Sequence, residues 1–340
     1  MLHAKDTSNH LRHMTMSKLY NLIQLRFSFL LMKYFKIFIR PAHPISLSIE
    51  PTTACNLSCP ECPSGLKSFS RPTGKLTMET NKKIIDELYK KLHFINFYFQ
   101  GEPFIHPDFL QFVRHAKKKG VYTSTSTNAH FIDKAKADDI VLSGLDRLII
   151  SIDGTSQETY EQYRISGKLE KVINATKFIL SSKKEYKSNT PHVIFQFLAV
   201  KPNEHEIPKV FALGKELGVD EVNIKTAQLY DYRDGNPLMP ENSKYSRYVK
   251  TRSGKYKLKG NQGNHCWRMW SGSVLTWDGK VLPCCFDKDA SFSLGEISEV
   301  NFKTIWRNKR YDQFRRSIFY NRSNIEICKN CSEGTKVWAS

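Results

Sequence analysis

The most informative segment of the chain is Ile49-Glu50-Pro51-Thr52-Thr53-Ala54-Cys55-Asn56-Leu57-Ser58-Cys59-Pro60-Glu61-Cys62-Pro63. It carries a Cys-x3-Cys-x2-Cys pattern directly after an apolar run, residues 45–49, that is typical of a strand. Four thiolates complete a four-iron cluster, so three thiolates leave one iron open to another ligand. Prolines and an Asn-Leu-Ser turn argue against a helix, so this loop can curl around a compact group. The alternatives are unrelated core cysteines, or a zinc loop with a fourth ligand elsewhere, but free cysteines rarely cluster in a turn.

The composition is that of an ordinary globular protein with a strong excess of positive charge. Its 340 residues are enough for one large domain or two, and 40% of them are hydrophobic. The formal net charge of +19 favours an anionic partner, such as a phospholipid surface, a phosphorylated substrate or nucleic acid. A solvated basic surface would give the same excess, so charge alone does not choose among these partners.

The eight cysteines fall into two groups, three near the start and five near the end. A disulfide-rich secreted protein would spread its cysteines more evenly. Reduced thiols that hold metal in a cytoplasm fit this distribution better. The second group consists of Cys266, Cys284, Cys285, Cys328 and Cys331.

Between residues 45 and 227, strand-like apolar runs alternate with amphipathic helical patterns. Gly120 and Gly218 follow two of the helical patterns, at the position of a C-terminal cap. The alternation predicts a parallel βα array whose functional loops lie at the carboxyl ends of the strands. The predicted strands are residues 45–49, 94–99, 121–126, 147–152, 192–199 and 221–225, and the predicted helices are residues 77–92, 109–119, 135–142, 169–182 and 207–217.

The cysteine loop after the first predicted strand resembles that of the radical S-adenosylmethionine (SAM) enzymes. The resemblance implies a partial (β/α)6 barrel in which Cys55, Cys59 and Cys62 hold a [4Fe-4S] cluster. It also implies that SAM chelates the fourth iron and is cleaved to methionine and a 5′-deoxyadenosyl radical, which abstracts hydrogen from the substrate. The family usually has an aromatic residue before the third cysteine, where this chain has Glu61.

Three further loops at predicted strand ends resemble the loops that bind SAM in this family. One is Gln100-Gly101-Glu102-Pro103, which corresponds to a Gly-Gly-Glu-Pro motif with Gln100 in place of the first glycine. A carboxylate can accept hydrogen bonds from an ammonium group, and a guanidinium can hold a carboxylate in a fork. The structural alternatives are an ordinary turn, a strand edge rich in Ser and Thr, and a surface arginine. The resemblance implies SAM contacts at Gly101, Glu102, Thr127, Asn128, Ser151, Asp153 and Arg164.

The cysteines near the end of the chain resemble the SPASM or twitch extension of radical SAM enzymes, which holds one or two auxiliary iron–sulfur clusters. The fuller version has more cysteines, so we expect a single auxiliary [4Fe-4S] cluster here, with Cys285 left over. Residues 277–280, Trp-Asp-Gly-Lys, predict a hairpin turn before the double cysteine. A zinc ribbon with four thiolate ligands is the alternative. The expected cluster ligands are Cys266, Cys284, Cys328 and Cys331.

The start of the chain combines a polar stretch with an apolar and basic one. Residues 1–15 are predicted to be disordered, and residues 19–39 to form a helix. No uncharged run is long enough to span a bilayer, and no signal peptide is evident. The helix can be interpreted as a peripheral membrane contact through residues 17–40, or as a helix packed against the barrel. The cations on its predicted basic face are Arg26, Lys33, Lys36 and Arg40.

The sequence therefore predicts four segments. Residues preceding the first strand are too few for a leader-peptide-binding domain, which lowers the expectation of leader recognition in cis. The segments are residues 1–44 (disordered start and basic helix), 45–229 (barrel), 230–263 (linker or covering loop) and 264–340 (auxiliary cluster module).

We interpret the chain as a cytoplasmic radical SAM/SPASM oxidoreductase or maturase that receives electrons from a donor such as a flavodoxin or ferredoxin. The auxiliary cluster would take an electron from the substrate radical, so oxidation of a peptide, a small alcohol or sugar, or an anionic small molecule is favoured. The sequence does not define the proton acceptor, for which Asp287 and Asp289 are candidates.

Two other functions fit parts of the sequence. The charge suggests an RNA-modifying radical SAM enzyme, but no RNA-binding domain is evident and a nucleic-acid partner is not expected. A non-catalytic zinc-binding adaptor, docked on a membrane by its first helix, is the alternative from another class.

Overall fold

The computed structural model describes residues 3–335 and 337, and within them the chain forms an α/β barrel on one eight-stranded sheet. The strands are β1 (Ser46–Ile49), β2 (Phe94–Asn96), β3 (Tyr122–Thr127), β4 (Arg147–Ser151), β5 (His192–Ala199), β6 (Glu221–Thr226), β7 (Tyr248–Lys250), β8 (Tyr256–Leu258), β9 (Gly272–Leu275) and β10 (Val281–Leu282). The α-helices are α1 (His3–Arg12), α2 (Met16–Leu30), α3 (Pro63–Leu66), α4 (Met78–Leu88), α5 (Phe109–Lys118), α6 (Lys134–Leu142), α7 (Gln157–Tyr163), α8 (Leu169–Glu185), α9 (Ile207–Leu217), α10 (Trp267–Ser271), α11 (Phe302–Trp306), α12 (Lys309–Asn321) and α13 (Glu326–Lys329).

Strands β1 to β6 are parallel and lie side by side in chain order, which confirms the predicted partial (β/α)6 barrel. Leu47, Ile95 and Leu148 on these strands are buried in the core that the helices cover. Gly120 follows α5 and Gly218 ends α9, both with a left-handed φ, as the sequence predicts. Because carboxyl ends of parallel strands meet at one edge of the barrel, the loops after β1 to β4 lie together.

The cysteine-rich end of the chain continues the barrel sheet. Strand β9 pairs in parallel with β1, with Ser46 opposite Gly272, and β10 pairs with β9 in antiparallel fashion. The predicted turn between them is confirmed, and Gly279 supplies its left-handed φ of +88°. The part of the chain predicted as a separate small module therefore shares its hydrogen-bonded framework with the barrel.

Residues 230–263, which we call the covering segment, contain the small hairpin of β7 and β8. Within this segment, Tyr248 is buried, and its hydroxyl oxygen lies 3.1 Å from Leu229 O and 2.9 Å from Asn330 Oδ1, the two possible acceptors of its hydrogen. The segment thus joins the end of the barrel to the C-terminal cysteine region.

The start of the chain is ordered from residue 3, so the prediction of disorder is wrong for residues 3–15. Helix α1 packs its polar side chains against the barrel: Asp6 accepts from Arg147 Nε at 3.1 Å, and the ring of His10 stacks on Tyr122 at 3.6 Å. Polar burial of this kind leaves no hydrophobic periodicity, which explains why the sequence pattern did not reveal the helix. Residues 1 and 2 lie outside the described residues.

Helix α2, extended by a π-helical turn over Leu31–Phe35, replaces the predicted helix of residues 19–39. Its predicted basic face is largely engaged by the protein. The Arg26 guanidinium lies 4.3 Å from the Trp267 ring, and Lys36 Nζ donates to Phe319 O at 3.2 Å. Arg40 donates two hydrogen bonds to Asp312. None of the helices among residues 3–335 and 337 is long and apolar enough to cross a membrane.

Candidate active site at the carboxyl ends of the strands

The loop after β1 holds three free cysteine thiols beside the barrel axis. Cys59 is buried, and Cys55 and Cys62 are half-buried. Ser58 N donates to Ile165 O at 3.1 Å, which ties the loop to the segment after α7. Burial raises the pKa of the Cys55 thiol to about 11, so the thiol needs a positive partner or a metal to ionise near neutrality.

The turn after β2 packs directly on the cysteine loop. Gly101 has a left-handed φ of +74°, and a Cβ atom there would lie 2.2 Å from Thr52 O. Gly101 N donates to Ser64 Oγ at 2.8 Å, and Glu102 N donates to Ala54 O at 2.8 Å. Only glycine fits this contact, so Gly101 lets the turn pack closely on the backbone of the cysteine loop.

The Glu102 carboxylate is buried and accepts hydrogen bonds from the end of β3 and from its own turn. Its Oε1 accepts from Thr127 Oγ1 at 2.7 Å and from Phe104 N at 3.2 Å, and its Oε2 accepts from Asn128 N at 2.7 Å. Burial raises the pKa of the Glu102 carboxyl group to about 7, against the opposing effect of these hydrogen bonds. The Glu102 carboxylate therefore holds the end of β3 in place through its hydrogen bonds to Thr127 and Asn128.

The Thr127–Asn128 pair that Glu102 braces reaches the cysteine loop. Asn128 Nδ2 donates to Asn56 Oδ1 at 2.8 Å and lies 3.8 Å from Cys55 Sγ. Thr127 Oγ1 accepts from Ala129 N at 2.9 Å. Asn128 thus contacts the loop that carries the first cysteine, whereas Thr127 bonds to Glu102 and to the backbone that follows β3.

The end of β4 positions Arg164 beside the cysteines. Asp153 is fully buried; its Oδ2 accepts from Arg164 Nε at 2.5 Å, and its Oδ1 accepts from Leu198 N at 2.6 Å. Arg164 Nη1 lies 3.7 Å from Cys59 Sγ. Burial by itself lowers the pKa of Arg164, but Asp153 and Cys59 outweigh it and hold the pKa well above its usual range. Asp153 therefore orients Arg164 and does not itself line the cavity described next, whereas Ser151 does.

A cavity of about 450 Å³, which we call the barrel cavity, connects the two groups of cysteines. Cys59 and Cys62 line one side of it, and Cys285 and Arg268 line the other. A larger cavity of about 600 Å³ lies between the covering segment and α13, but no cysteine lines it. Hydrogen-bonding side chains line the barrel cavity between the cysteines: Ser48, Asn96, Gln100, Ser126, Ser151, Gln196 and Gln228.

Gln100 and Glu61 are the two positions at which the sequence departs from the family pattern. Gln100 is buried on the cavity wall, and its Oε1 has no hydrogen-bond partner among the described residues. Glu61 accepts from Tyr230 N at 2.9 Å and from Asn236 Nδ2 at 3.3 Å, and burial raises the pKa of its carboxyl group. Glu61 thus attaches the covering segment to the cysteine loop.

The second group of cysteines lies where strand β10 and helices α10 and α13 meet. Cys266, Cys328 and Cys331 are buried, and Arg322 Nη2 donates to Cys331 Sγ at 3.5 Å. Burial raises the pKa of Cys266 to about 12, although Arg322 partly offsets this. Buried thiols beside a buried guanidinium suit a metal site, because a metal can bind the thiolates in place of the thiol protons.

Cys284 and Cys285 have different surroundings. Cys284 Sγ accepts from Phe286 N at 3.5 Å and interacts electrostatically with Cys266 and Cys331. Cys285 Sγ lies 3.6 Å from Arg268 Nη1 and faces the barrel cavity. Sequence patterns did not identify Arg268 as a residue of the site, although its position two residues after Cys266 could have indicated that it lies near the cysteines.

The two candidate proton acceptors are occupied elsewhere. Asp287 is buried and accepts from Ser291 N and Phe292 N at 2.8 and 2.9 Å. Asp289 Oδ1 accepts from Ser70 N at 3.0 Å. Neither carboxyl group lines the barrel cavity, so both serve the local fold.

Two family models match the chain: residues 49–196 match the radical SAM superfamily, and residues 266–332 match the SPASM iron–sulfur cluster-binding domain. The chain belongs to the radical SAM superfamily. It is a SPASM-type enzyme of this superfamily, so the non-catalytic zinc adaptor is ruled out.

Similar proteins support this assignment over most of the chain. The PqqA peptide cyclase of Gluconobacter oxydans is 24% identical over 320 residues, covering 88% of this chain and 85% of that protein. The AdoMet-dependent heme synthase of Methanosarcina barkeri is 26% identical over 299 residues, covering 78% and 82%. The crystal structure of Streptococcus suis SuiB bound to SAM has a TM-score of 0.65 at 14% identity, covering 91% of this chain and 76% of that one, which shows a shared fold.

The cofactors of the family are a [4Fe-4S] cluster with SAM and an auxiliary iron–sulfur cluster. The residues present fit them: free thiols in the first loop, a glycine that no side chain could replace, and a buried Gln100 Oε1 without a partner. Among residues 3–335 and 337, no three His, Cys, Asp or Glu side chains converge as ligands of a single metal ion. A four-iron cluster spreads its thiolates over several irons, so its ligands need not converge on one point.

Proposed function

We propose that this radical SAM enzyme oxidises a substrate bound in the barrel cavity, with the auxiliary cluster as the acceptor of an electron. The observation that carries the proposal is that Cys59 and Cys62 on one side and Cys285 on the other line the same cavity. A substrate there would lie between the two metal sites. Net oxidation is then favoured over isomerisation, because the auxiliary cluster would accept an electron from the substrate radical.

We propose specific roles for the residues around the cavity. When bound, the first cluster and SAM supply the radical that removes a hydrogen atom from the substrate. Cys55, Cys59 and Cys62 would hold that cluster, and Gly101 would bring its own backbone close to the methionine part of SAM. Arg164, held in place by the buried Asp153, would bind the carboxylate of SAM in a fork. The proposed SAM site also includes Glu102, Thr127, Asn128 and Ser151, with Glu102 acting by bracing its neighbours.

The substrate class follows from the lining of the cavity and from the relatives. Amide and hydroxyl groups such as Asn96, Ser126 and Gln196 suit a peptide or a small alcohol or sugar, since each can both donate and accept. A peptide is favoured because a relative is named as a peptide cyclase. Arg268 and Lys288 also line the cavity and would accommodate an anionic group.

The proposal extends to the electron donor, the cellular location and the division of the chain into segments. An electron donor such as a flavodoxin or ferredoxin would reduce the first cluster, and the eight free cysteines suit a reducing cytoplasm. We propose the segments 1–44, 45–229, 230–263 and 264–340 as units of function, although the sheet runs through the second and the last.

The first cluster is tested by replacing Cys55, Cys59 and Cys62 together with alanine. The variant should lose about half of its iron and should no longer cleave SAM to 5′-deoxyadenosine with dithionite, because the auxiliary thiols remain. A matched variant with Cys328 and Cys331 replaced by alanine should keep SAM cleavage. Cleavage by the triple variant would refute the assignment of the first cluster.

The oxidation is tested with peptides offered to the reconstituted enzyme. A product lighter than the substrate by two hydrogen atoms, formed by the native enzyme and not by the variant lacking Cys328 and Cys331, is expected. A rearranged product of unchanged mass would overturn the oxidation and leave the radical chemistry intact.

A further inference from the structure

Helix α2 carries an apolar stripe on its outer face that stays exposed to solvent. Its members recur every three or four residues, which places them on one side of a helix. They include Met16, Ile23, Phe27 and Tyr34, which are 80%, 55%, 59% and 65% exposed. We call the full set the outer stripe; it consists of Met16, Leu19, Tyr20, Ile23, Phe27, Leu30 and Tyr34.

The outer stripe is additional to the face by which α2 packs on the protein. Leu25, Phe29 and Met32 are buried in a cluster with Trp270 and Phe319. The helix therefore already has its core contact, and the outer stripe is not needed for folding. Exposed apolar patches of this extent on soluble proteins usually mark a site of interaction. Beyond the helix, Phe35, Ile37 and Ile39 extend the apolar surface.

The charge around the outer stripe points to an anionic occupant. No Asp or Glu occurs between residues 7 and 49, and Asp6 is paired with Arg147. Arg26 is exposed and Lys33 is half-exposed, next in sequence to Phe27 and Tyr34 of the stripe, and the whole chain carries a net charge of +19. A second copy of this chain docked on the stripe would bring two positively charged surfaces together, which is unfavourable. Lys36 and Arg40 are bonded to Phe319 and Asp312, so the charge at the stripe comes from Arg26 and Lys33.

The helix is held firmly with its stripe outward. At its start, Lys18 is buried, and its Nζ donates to Gly120 O at 2.6 Å. Asn21 Nδ2 donates to His43 O and Lys91 O at 3.0 and 3.2 Å. At its far end, Lys36 donates to Phe319 O. Binding through a preformed face costs little ordering entropy.

We propose that the outer stripe of α2 inserts into the interfacial region of an anionic lipid bilayer, with Arg26 and Lys33 beside it at the headgroups. This contact differs from the one that the sequence suggested, in which the basic face itself would lie on the membrane. Aromatic side chains such as Tyr20 and Tyr34 suit the bilayer interface, and each nearby cation adds attraction to anionic lipid. Attachment then needs both apolar insertion and charge.

The consequence concerns the orientation of the enzyme. The inner face of α2 packs on a cluster that includes Cys266 and Cys328, so the auxiliary site lies directly behind the membrane-binding helix. The docked enzyme would hold this site close to the bilayer surface.

The test uses the reconstituted full-length enzyme and vesicles of phosphatidylcholine mixed with phosphatidylglycerol. The variant Ile23→Gln/Phe27→Gln removes apolar area at two exposed positions and should lower the partition coefficient by about tenfold or more. A matched control, Leu142→Gln/Phe211→Gln, changes two other exposed apolar side chains on α6 and α9 and should bind as the native enzyme does. Iron content and SAM cleavage should be unchanged in both variants, which separates this inference from the proposed function.

Each other outcome overturns the inference. Native enzyme that stays free of anionic vesicles at low salt has no membrane contact. Equal binding of the α2 variant and the native enzyme would assign the contact to charge alone. A native dimer that becomes a monomer in the α2 variant, without binding vesicles, would make the outer stripe an interface between two copies.

Discussion

A buried ion pair next to the cysteine loop, between Glu50 and Arg71, contributes to the stability of the protein. The positions of the two residues in the sequence do not indicate this pairing. Glu50 ends the buried part of β1, and its carboxylate accepts two hydrogen bonds from Arg71, at 2.6 and 2.9 Å. Arg71 also donates to Lys288 O at 2.9 Å, and Glu50 accepts from Trp277 N at 3.3 Å. The pair therefore joins the first cysteine loop to the C-terminal cysteine region.

Replacing Arg71 with methionine should destabilise the protein by about 3–5 kcal/mol, because Glu50 would stay buried without its partner. Burial already raises the pKa of Glu50, and Arg71 opposes this rise. Thermal unfolding measures the loss, and Glu50→Gln/Arg71→Met should recover part of it. Lys255→Met, which breaks an exposed ion pair with Asp234, serves as the control and should change stability by less than about 0.5 kcal/mol. Equal melting temperatures of the two single variants would contradict the assigned role of the pair.

At this scale, the sequence was sufficient for residues whose chemistry is local and insufficient for those whose partners are distant. The cysteines and Gly101 could be placed because their spacing and their turn are contained in short segments. The hydrogen bonds of Glu102 to Thr127 and Asn128, which lie at the end of the next strand, could not be predicted from its own motif. Which group satisfies a buried carboxylate depends on tertiary contacts, and these leave no trace in a motif.

At the scale of elements, hydrophobic periodicity located the barrel strands closely and missed α1. The strands and helices of the barrel bury apolar side chains at regular spacing, so their pattern is visible in the sequence. Helix α1 is instead attached by polar contacts, such as the stacking of His10 on Tyr122 and the bond between Asn9 Nδ2 and Asp146 Oδ1 at 2.9 Å. Because these contacts involve histidine and aspartate side chains, the attachment of α1 should depend on pH, unlike an attachment through apolar contacts.

The attachment of α1 should weaken in mild acid. His10 Nδ1 lies 3.2 Å from His93 Nε2, and burial lowers the pKa of both rings, that of His93 from its usual 6.5 to about 4. Between these two values, a released His93 binds a proton that the attached one does not, so stability falls as the pH falls from 6.5 towards 4. Amide hydrogen exchange of α1 at pH 7 and pH 5 measures the effect.

Two variants show whether His93 is the cause. His93→Asn should make the exchange of α1 less dependent on pH, because the titrating group is gone. His205→Asn, at an exposed position, should keep the native dependence. If the α1 amides of the native protein have equal protection factors at both pH values, after correction for the intrinsic pH dependence of exchange, the two buried histidines do not control its attachment.

At the scale of the whole molecule, one sheet positions both metal sites. The first cysteine loop follows β1, and Cys284 and Cys285 follow the β9–β10 hairpin, whose first strand pairs with β1. The two sites are therefore held at a fixed separation across the barrel cavity. The sequence indicated both sites but treated the second as a separate module, because a pairing between residues some 226 positions apart, such as Ser46 and Gly272, cannot be read from local patterns.

The surroundings of the two adjacent cysteines favour one of them as a cluster ligand. Cys284 interacts electrostatically with Cys266 and Cys331, and Cys285 also interacts with Cys331. Cys285 differs in that its Sγ lies beside Arg268 on the cavity wall, and because neighbouring side chains of an extended chain point to opposite faces, we predict Cys284 as the ligand. Cys284→Ala should therefore keep only about four irons, and Cys285→Ala about eight. SAM cleavage without substrate should persist in both, because the first cluster lies on a different loop.

Iron counts and EPR spectra of the two single variants measure the difference, and substrate turnover should fail only in Cys284→Ala if the auxiliary cluster accepts an electron. A Cys285→Ala protein with about four irons, beside a Cys284→Ala protein with about eight, would exchange the two roles. If both variants kept about eight irons, neither cysteine would be a ligand, and the cluster would need a fourth ligand other than this pair. Cys285→Ala carries a second expectation: its Sγ lies 3.6 Å from Arg268 Nη1 on the cavity wall, so its loss should alter the Michaelis constant for the substrate while both clusters remain.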